Sequence, residues 1–274
     1  MPLAMTPQCE VLIDGMHSAS LPVHDRGLLY GDGVFRTLRV IAGEPLWWDE
    51  QVAKLTEDCA RLGLVAPEPE TWLADLEHIS PSLTDGVLKL LVTRGSGPRG
   101  YQLPPAGSVR RLMYFDATTI QTRPRAGLRM RVCALRLGWQ PRLAGIKHLN
   151  RLENVLARAE WNSTEFDEGL LLDQAERVVS GVMSNIFVWR HHQLLTPRID
   201  RCGVAGVARA RLMRLAKAHG VDVQETDLSL QAVFDADEVM LTNSVTGLRR
   251  VACLETKHWL DPVISPRLAE WLNA

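Results

Sequence analysis

Lys147 is the side chain of this sequence with the greatest chemical promise. It lies in Ala144–Gly145–Ile146–Lys147–His148–Leu149–Asn150, flanked by Ile146 and Leu149 and just ahead of a helical signal. Burial among apolar neighbours and a nearby helix N-terminus both disfavour an ammonium, which lowers a lysine pKa toward the nucleophilic range. Such an amine forms a Schiff base or serves as a general base. A lysine that only snorkels its charge into solvent is the alternative. A second feature is Gly203–Val204–Ala205–Gly206–Val207–Ala208, which runs into a strong helical pattern. Small side chains and uncommitted N–H groups at a positive helix end make a phosphate seat. Thr242–Asn243–Ser244 closes a buried strand and offers side-chain donors to the same anion. A reactive lysine together with a phosphate seat points to pyridoxal phosphate.

Other constellations carry less. Gly95–Ser96–Gly97–Pro98–Arg99–Gly100 matches G-x-G-x-x-G after a strand signal, but Tyr101–Gln102–Leu103–Pro104–Pro105 follows. A dinucleotide site needs a helix there, and two prolines forbid it. The segment reads instead as a flexible loop presenting Arg94, Arg99 and Tyr101, either as carboxylate-binding groups or as a solvated turn. The eight histidines have no ligand spacing, and no serine sits in G-x-S-x-G, so metal hydrolysis and triad chemistry are disfavoured.

The elements that must position these residues are legible in outline. Glu10 to Ile13 reads as a strand entering a hairpin at Asp14–Gly15, and Val34 to Ile41 as a second strand. Val52, Leu55, Cys59 and Leu62 recur at helical steps, with Gly63 as the stop. Val87 to Val92 and Leu112 to Phe115 are strand candidates. Thr118 to Gly127 is polar and aperiodic, the expected linker between a smaller α/β domain at 1–117 and a larger one at 128–274. The second domain is expected to carry Lys147 and the phosphate seat. It alternates strands (Leu128 to Leu135, Leu170 to Leu172, Asn185 to Trp189, Val239 to Leu241) with helices at 150–162, 204–219 and 266–273. Asn150 and Glu153 have the spacing of a capping box. The expected class is therefore α/β with two domains.

Composition sets the outer bounds. The 274 residues hold 31 basic and 32 acidic side chains, a formal charge of -1, which argues against a nucleic-acid or membrane-surface binder. The five cysteines are scattered and never form C-x-x-C, so neither a disulfide framework nor a zinc site is expected. With no leader pattern and no long apolar run, a cytoplasmic protein is expected.

Several stretches taken together resemble the class IV aminotransferase fold family, the pyridoxal-phosphate family of branched-chain and D-amino acid transaminases. They are Tyr30 to Phe35 (YGDGVF), Arg94 to Tyr101 (RGSGPRGY), Leu143 to Leu156 (LAGIKHLNRLENVL), Ser184 to Phe187, Thr196 to Arg198 and Val204 to Arg209. The second and third of these are most similar to the lyase branch of that family. The resemblance implies a lyase that converts 4-amino-4-deoxychorismate to 4-aminobenzoate and pyruvate for folate synthesis. A transaminase or a non-catalytic relative of the same fold is the alternative. It implies Lys147 as the Schiff-base lysine and Val207 and Ala208, with Asn243 or Ser244, around the phosphate. Thr37 would lie close to the reacting atoms, Arg94, Arg99 and Tyr101 would face substrate carboxylates, and a homodimer would form whose partner lends a loop. Two positions depart from the family pattern. Its phosphate-binding arginine falls at Lys54, which keeps the charge and loses the fork. Its glutamate facing the pyridine nitrogen falls at Ser180, which weakens the electron sink and disfavours transamination more than elimination.

Overall fold

The computed structural model describes residues 9–18, 20–104, 107–118, 120, 127–162 and 164–273. The polypeptide divides into two compact units, one of Met1–Gln121 with Lys147–Asn150 and one of Thr122–Ile146 with Arg151–Ala274. Of the expected linker 118–127, residues 119 and 121–126 lie outside the described residues. Lys147 belongs with the first unit and not, as expected, with the second.

The first unit is a six-stranded antiparallel sheet with two long helices. Its elements are β1 (Cys9–Ile13), β2 (Met16–His17), α1 (Arg26–Tyr30), β3 (Gly33–Ile41), β4 (Glu44–Pro45), α2 (Trp48–Arg61), α3 (Pro69–Ile79), β5 (Gly86–Thr93) and β6 (Arg110–Ala117). The strands lie in the order β2-β1-β6-β5-β3-β4. Asp14 and Gly15 both take positive φ, 52° and 83°, which is what a two-residue hairpin turn requires. Along β3, Val34, Arg36, Leu38 and Val40 point to the buried face while Phe35, Thr37 and Arg39 take the other. The helix α2 buries Gln51, Val52, Leu55, Asp58 and Cys59 at three- and four-residue steps and packs on β3. Gly63, at φ +63°, supplies the left-handed stop after it.

The short β4 covers only Val40 and Ile41 of β3 and leaves the other end of that edge open. Residues 147–149 take it. The Phe35 N–H donates to the Lys147 carbonyl at 2.9 Å, and the Leu149 N–H to the Gly33 carbonyl at 3.0 Å. This pairing is why the Lys147 segment belongs with the first unit: an uncovered strand edge is a row of unpaired backbone groups that any extended segment can satisfy.

The second unit contains β7 (Leu128–Leu137), α4 (Leu152–Arg158), β8 (Glu168–Asp173), β9 (Arg177–Gly181), β10 (Asn185–Arg190), β11 (Gln193–Pro197), α5 (Val207–Ala218), β12 (Asp222–Thr226), β13 (Leu228–Ser229), α6 (Leu230–Phe234), β14 (Glu238–Asn243), β15 (Gly247–Leu254), β16 (Lys257–His258) and α7 (Ser265–Asn273). The sheet runs β12-β11-β10-β14-β15-β7-β8-β9-β13, with β16 beside β15. Strand β7 is parallel to both its neighbours, β8 and β15. Leu170, Leu172, Ile186, Val188, Leu241 and Val251 belong to one buried cluster on this sheet.

Two helices are shorter than their sequence patterns. The first begins at Leu152 and ends at Arg158, and the Asn150–Glu153 capping box does not form. The Asn150 amide donates to the Gly31 carbonyl and the Glu153 carboxylate accepts the Gly138 N–H, so both side chains are committed elsewhere. The second begins at Val207, with Gly206 as its N-cap at ψ 149°. Among the described residues, no helix is long and apolar enough to cross a membrane.

Candidate active site

In the first unit both main-chain groups of Lys147 are engaged: its carbonyl accepts from Phe35, and its N–H donates to Asp58 Oδ2 at 3.0 Å. Its ammonium lies 4.4 Å from the centroid of the Phe35 ring. Thr37, two residues along β3, shares that face of the strand. The structure therefore brings Lys147 and Thr37 to one face. The helix start that was expected just beyond Lys147 lies further along the chain, at Leu152.

Lys54 lies on α2, where its Nζ donates to Asp58 Oδ1 at 2.9 Å and to Glu57 at 2.7 Å. Asp58 also receives the guanidinium of Arg36 from the buried face of β3. Burial pushes that guanidinium down from its ordinary value, and Asp58 works against the shift. Sequence reasoning missed Arg36 and Asp58. An arginine on the apolar side of a strand pattern and an acid four residues after Lys54 were the available signals.

The glycine loop after β5 is held from below. Arg26 donates from Nε to Asp32 and from Nη1 to the carbonyls of Gly100 and Gln102, at 2.9, 3.0 and 3.2 Å. Arg94 donates to Asp32 and to the carbonyls of Gly63 and Leu62 at 2.8 to 2.9 Å, so all three of its nitrogens serve the fold. Burial acts to raise the Asp32 carboxyl, but the bonds from Arg94 and Arg26 outweigh it and hold the group below its ordinary value. Arg99 is exposed, and Tyr101 is 85% exposed with its ring 5.5 Å from that of Tyr30. Arg94 thus parts company with Arg99 and Tyr101: it ties the end of β5 to Asp32 and to the turn after α2, while Arg26 holds the loop that presents the other two.

In the second unit the loop before α5 is shaped by Asn185. Its Nδ2 donates to the Val204 carbonyl at 2.8 Å and its Oδ1 accepts the Gly206 N–H at 3.2 Å. A Cβ on Gly206 would stand 2.5 Å from that Oδ1 and would push the Asn185 amide out of these two bonds. No side chain caps α5 and its first turn holds no acid, which leaves the N–H groups of Val207 and Ala208 at an uncapped positive end. Thr242 stands opposite Asn185 in the β10–β14 pairing, so their side chains share a face. The Thr242 hydroxyl is buried and has no hydrogen-bond partner among the described residues.

Asn243 has other work. Its Oδ1 accepts from the N–H groups of Val245 and Thr246 and from the Thr246 hydroxyl, which fixes the turn containing Ser244. Ser180 is 7% exposed on β9 and pairs with Leu171. The turn that follows is tied to Glu168, whose oxygens accept from the N–H groups of Gly169, Val182 and Met183 and from the Ser184 hydroxyl. Burial pushes the Glu168 carboxyl above its ordinary value in spite of those bonds.

A family model described as amino-transferase class IV matches residues 33–254. The chain belongs to the class IV aminotransferase family. The chain is 34% identical, over 88% of its length and 89% of the relative's, to an aminodeoxychorismate lyase from Vibrio harveyi. It is 32% identical, over 84% of its length and 81% of the relative's, to a putative branched-chain-amino-acid aminotransferase from Methanocaldococcus jannaschii. Among solved structures, a 4-amino-4-deoxychorismate lyase from Pseudomonas aeruginosa superimposes with a TM-score of 0.89 at 42% identity, covering 96% of this chain and 98% of that one. The α/β architecture with two sheets is that of the class IV family.

Members of this family bind pyridoxal phosphate. The residues present fit that group. Gly206 admits the Asn185 amide that shapes the loop, the α5 N–H groups are uncapped, and the buried Thr242 hydroxyl has no hydrogen-bond partner among the described residues. These are donors a phosphate monoester needs. Within the first unit, taken by itself, Asp58 joins two cations, Lys54 and Arg36, to the main chain of Lys147.

Proposed function

We propose that this chain is a pyridoxal-phosphate-dependent lyase that converts 4-amino-4-deoxychorismate to 4-aminobenzoate and pyruvate, a step toward folate. The observation that carries the reading is the placement of the Lys147 amine over Phe35 on the β3 face that also bears Thr37. The higher-identity relatives named above, at 42% and 34%, support the lyase over the transaminase.

In this proposal Lys147 holds the cofactor through its amine. Val207, Ala208, Lys54 and the Asn243–Ser244 turn hold its phosphate, and Ser180 accompanies its pyridine nitrogen. The cofactor, when bound, supplies an electron sink conjugated to the substrate amine. Lys147, as a neutral amine, removes the ring proton on the carbon bearing the substrate nitrogen. The enolpyruvyl C–O bond then breaks as the ring becomes aromatic. Lys147 returns the proton to the departing methylene carbon, which yields pyruvate. The Thr37 hydroxyl donates a hydrogen bond to the leaving oxygen, and Arg99 and Tyr101 bind carboxylates, with Arg94 fixing the end of β5 from which their loop departs and Arg26 holding the loop itself. A homodimer in which each protomer lends this loop to the other fits the exposure of Arg99 and Tyr101.

The reading is tested by adding 4-amino-4-deoxychorismate to the cofactor-loaded protein and following 4-aminobenzoate fluorescence and pyruvate together. Equal appearance of the two products is expected. The 32% identical aminotransferase relative supports a second reading, transamination. Oxo-acid formation from D- or branched-chain amino acids without any 4-aminobenzoate would replace the first reading by that one.

A further inference from the structure

One buried carboxylate in the first unit gathers donors from three separate stretches of chain. Asp58 is 0% exposed on the inner face of α2. Its Oδ1 accepts from Lys54, one helical turn earlier, at 2.9 Å. Its Oδ2 accepts from the Arg36 guanidinium of β3 and from the main-chain N–H of Lys147 at 3.0 Å. Arg36 is itself 1% exposed, and its Nε has no hydrogen-bond partner among the described residues.

Counted with Glu57 the set is neutral, but its buried part is not: two cations meet one buried carboxylate, and the acid that balances them, Glu57, has a side chain 58% exposed and screened by water. Surplus positive charge beside a desolvated guanidinium is costly unless an anion completes the set. A phosphate is such an anion. The arrangement also answers the loss of the family's arginine at position 54, since a lysine ammonium has no fork and takes its direction from whatever grips it.

We propose that Asp58 is a positioning residue of the cofactor site: it sets the Lys54 ammonium and the Lys147 main chain in a single register, so that pyridoxal phosphate is gripped and covalently held by groups that one carboxylate aligns. This rests on the reading that Lys54 and Lys147 hold the cofactor. Without the Asp58 charge, Lys54 turns to Glu57 and solvent, and the Lys147 N–H loses its partner.

The test is cofactor affinity, measured on the full chain stripped of cofactor and titrated with pyridoxal phosphate while its visible absorbance is followed. The D58N variant is expected to raise Kd by roughly 10- to 100-fold, the size expected for hydrogen bonds to a charged group. The K54M variant should do the same. The double variant should fall well short of the product of the two single effects, because Asp58 acts partly through Lys54. A purely structural Asp58 would instead lower the thermal midpoint of the cofactor-free chain and multiply its effect with that of K54M. Should D58N fail to fold, R36M/D58L removes both buried charges, keeps an apolar fill and is expected to bind as weakly. A wild-type Kd in either variant overturns the role of Asp58. A wild-type chain that takes up no cofactor overturns the reading beneath it.

Discussion

Around Asp58 the first unit gathers charge, whereas around Asn185 the second gathers neutral dipoles. The first cluster consists of Lys54, Arg36 and a carboxylate, with a lysine main chain tied to it. The second consists of backbone N–H groups, a primary amide and a threonine hydroxyl, in a loop that depends on a glycine. Charged side chains attract an anion over distance and weaken as salt rises, while fixed dipoles act at contact and hold direction. The comparison also says what each region tolerates. The charged cluster fails when a side chain changes its charge, and the dipolar one fails when backbone geometry shifts.

The largest expected effect lies on the charged side. Lys147→Ala removes the group proposed to hold the cofactor and move the proton, and turnover should fall by about 10³-fold or more. Near-normal formation of 4-aminobenzoate would remove the centre of the functional reading. Next comes the dipolar side. Asn185→Ala leaves the Val204 carbonyl and the Gly206 N–H without their partner, at a cost of about 1–3 kcal/mol in stability. Cofactor Kd should rise with it. Gly206→Ala should loosen the cofactor as well, since its Cβ would meet Asn185 Oδ1 at 2.5 Å. Val207→Ala, in contrast, keeps its N–H and should leave Kd within about twofold, because only the backbone is used there. Equal losses in Gly206→Ala and Val207→Ala would break the distinction between the two regions.

Ser180→Glu tests the departure from the family pattern. A carboxylate at this position would hold a pyridine nitrogen protonated and strengthen the electron sink. The variant should raise any side transamination by several fold, read as oxo-acid formation from an amino acid. An unchanged rate would mean that Ser180 does not set the balance between elimination and transamination.

How far the sequence foretold these regions follows the same divide. The helix α2, the strand β3 and the helix α5 were legible because each carries its own periodicity and its own stop, as at Gly63. Lys147 and the glycine loop before α5 stand out as candidates from residue type and neighbours, though the helix start expected just beyond Lys147 lies at Leu152. What escaped were groups whose meaning depends on distant partners. Asp58 meets Arg36 across 22 residues and the Lys147 N–H across 89. Arg94 read as a free cation, but its partners Asp32, Leu62 and Gly63 are supplied by other elements. The capping box at Asn150 and Glu153 had the right spacing and lost both side chains to groups outside the helix. The helix α3 has no counterpart among the expected elements, although Trp72 and Ile79 are buried on it and Pro69 opens it. The open edge of β3 that draws Lys147 into the first unit is a property of the sheet, visible only once β4 is seen to end at Glu44 and Pro45.

The smallest expected effect sharpens the comparison at two carboxyl groups, one in each unit. Asp32 is surrounded by the guanidiniums of Arg94 and Arg26, which hold it below its ordinary 3.8. Its ionised form therefore stabilises the folded chain above that value, and the contribution is lost as pH falls through the depressed folded pKa. Glu168 is surrounded by N–H groups and a hydroxyl, which do not overcome burial, and it sits above its ordinary 4.5. Its contribution has the opposite sign: it is fully present below 4.5 and is lost as pH rises through the elevated folded pKa. Denaturant midpoints measured from pH 3 to 7 should separate the two. Asp32→Asn should flatten the acid limb near its lower end, and Glu168→Gln should remove a fall in stability that begins above 4.5. The slopes carry the information, since Gln also changes the bonds to Val182 and Met183 at every pH. If both variants altered the profile in the same direction, the contrast between a charge-held and a dipole-held carboxyl would not stand.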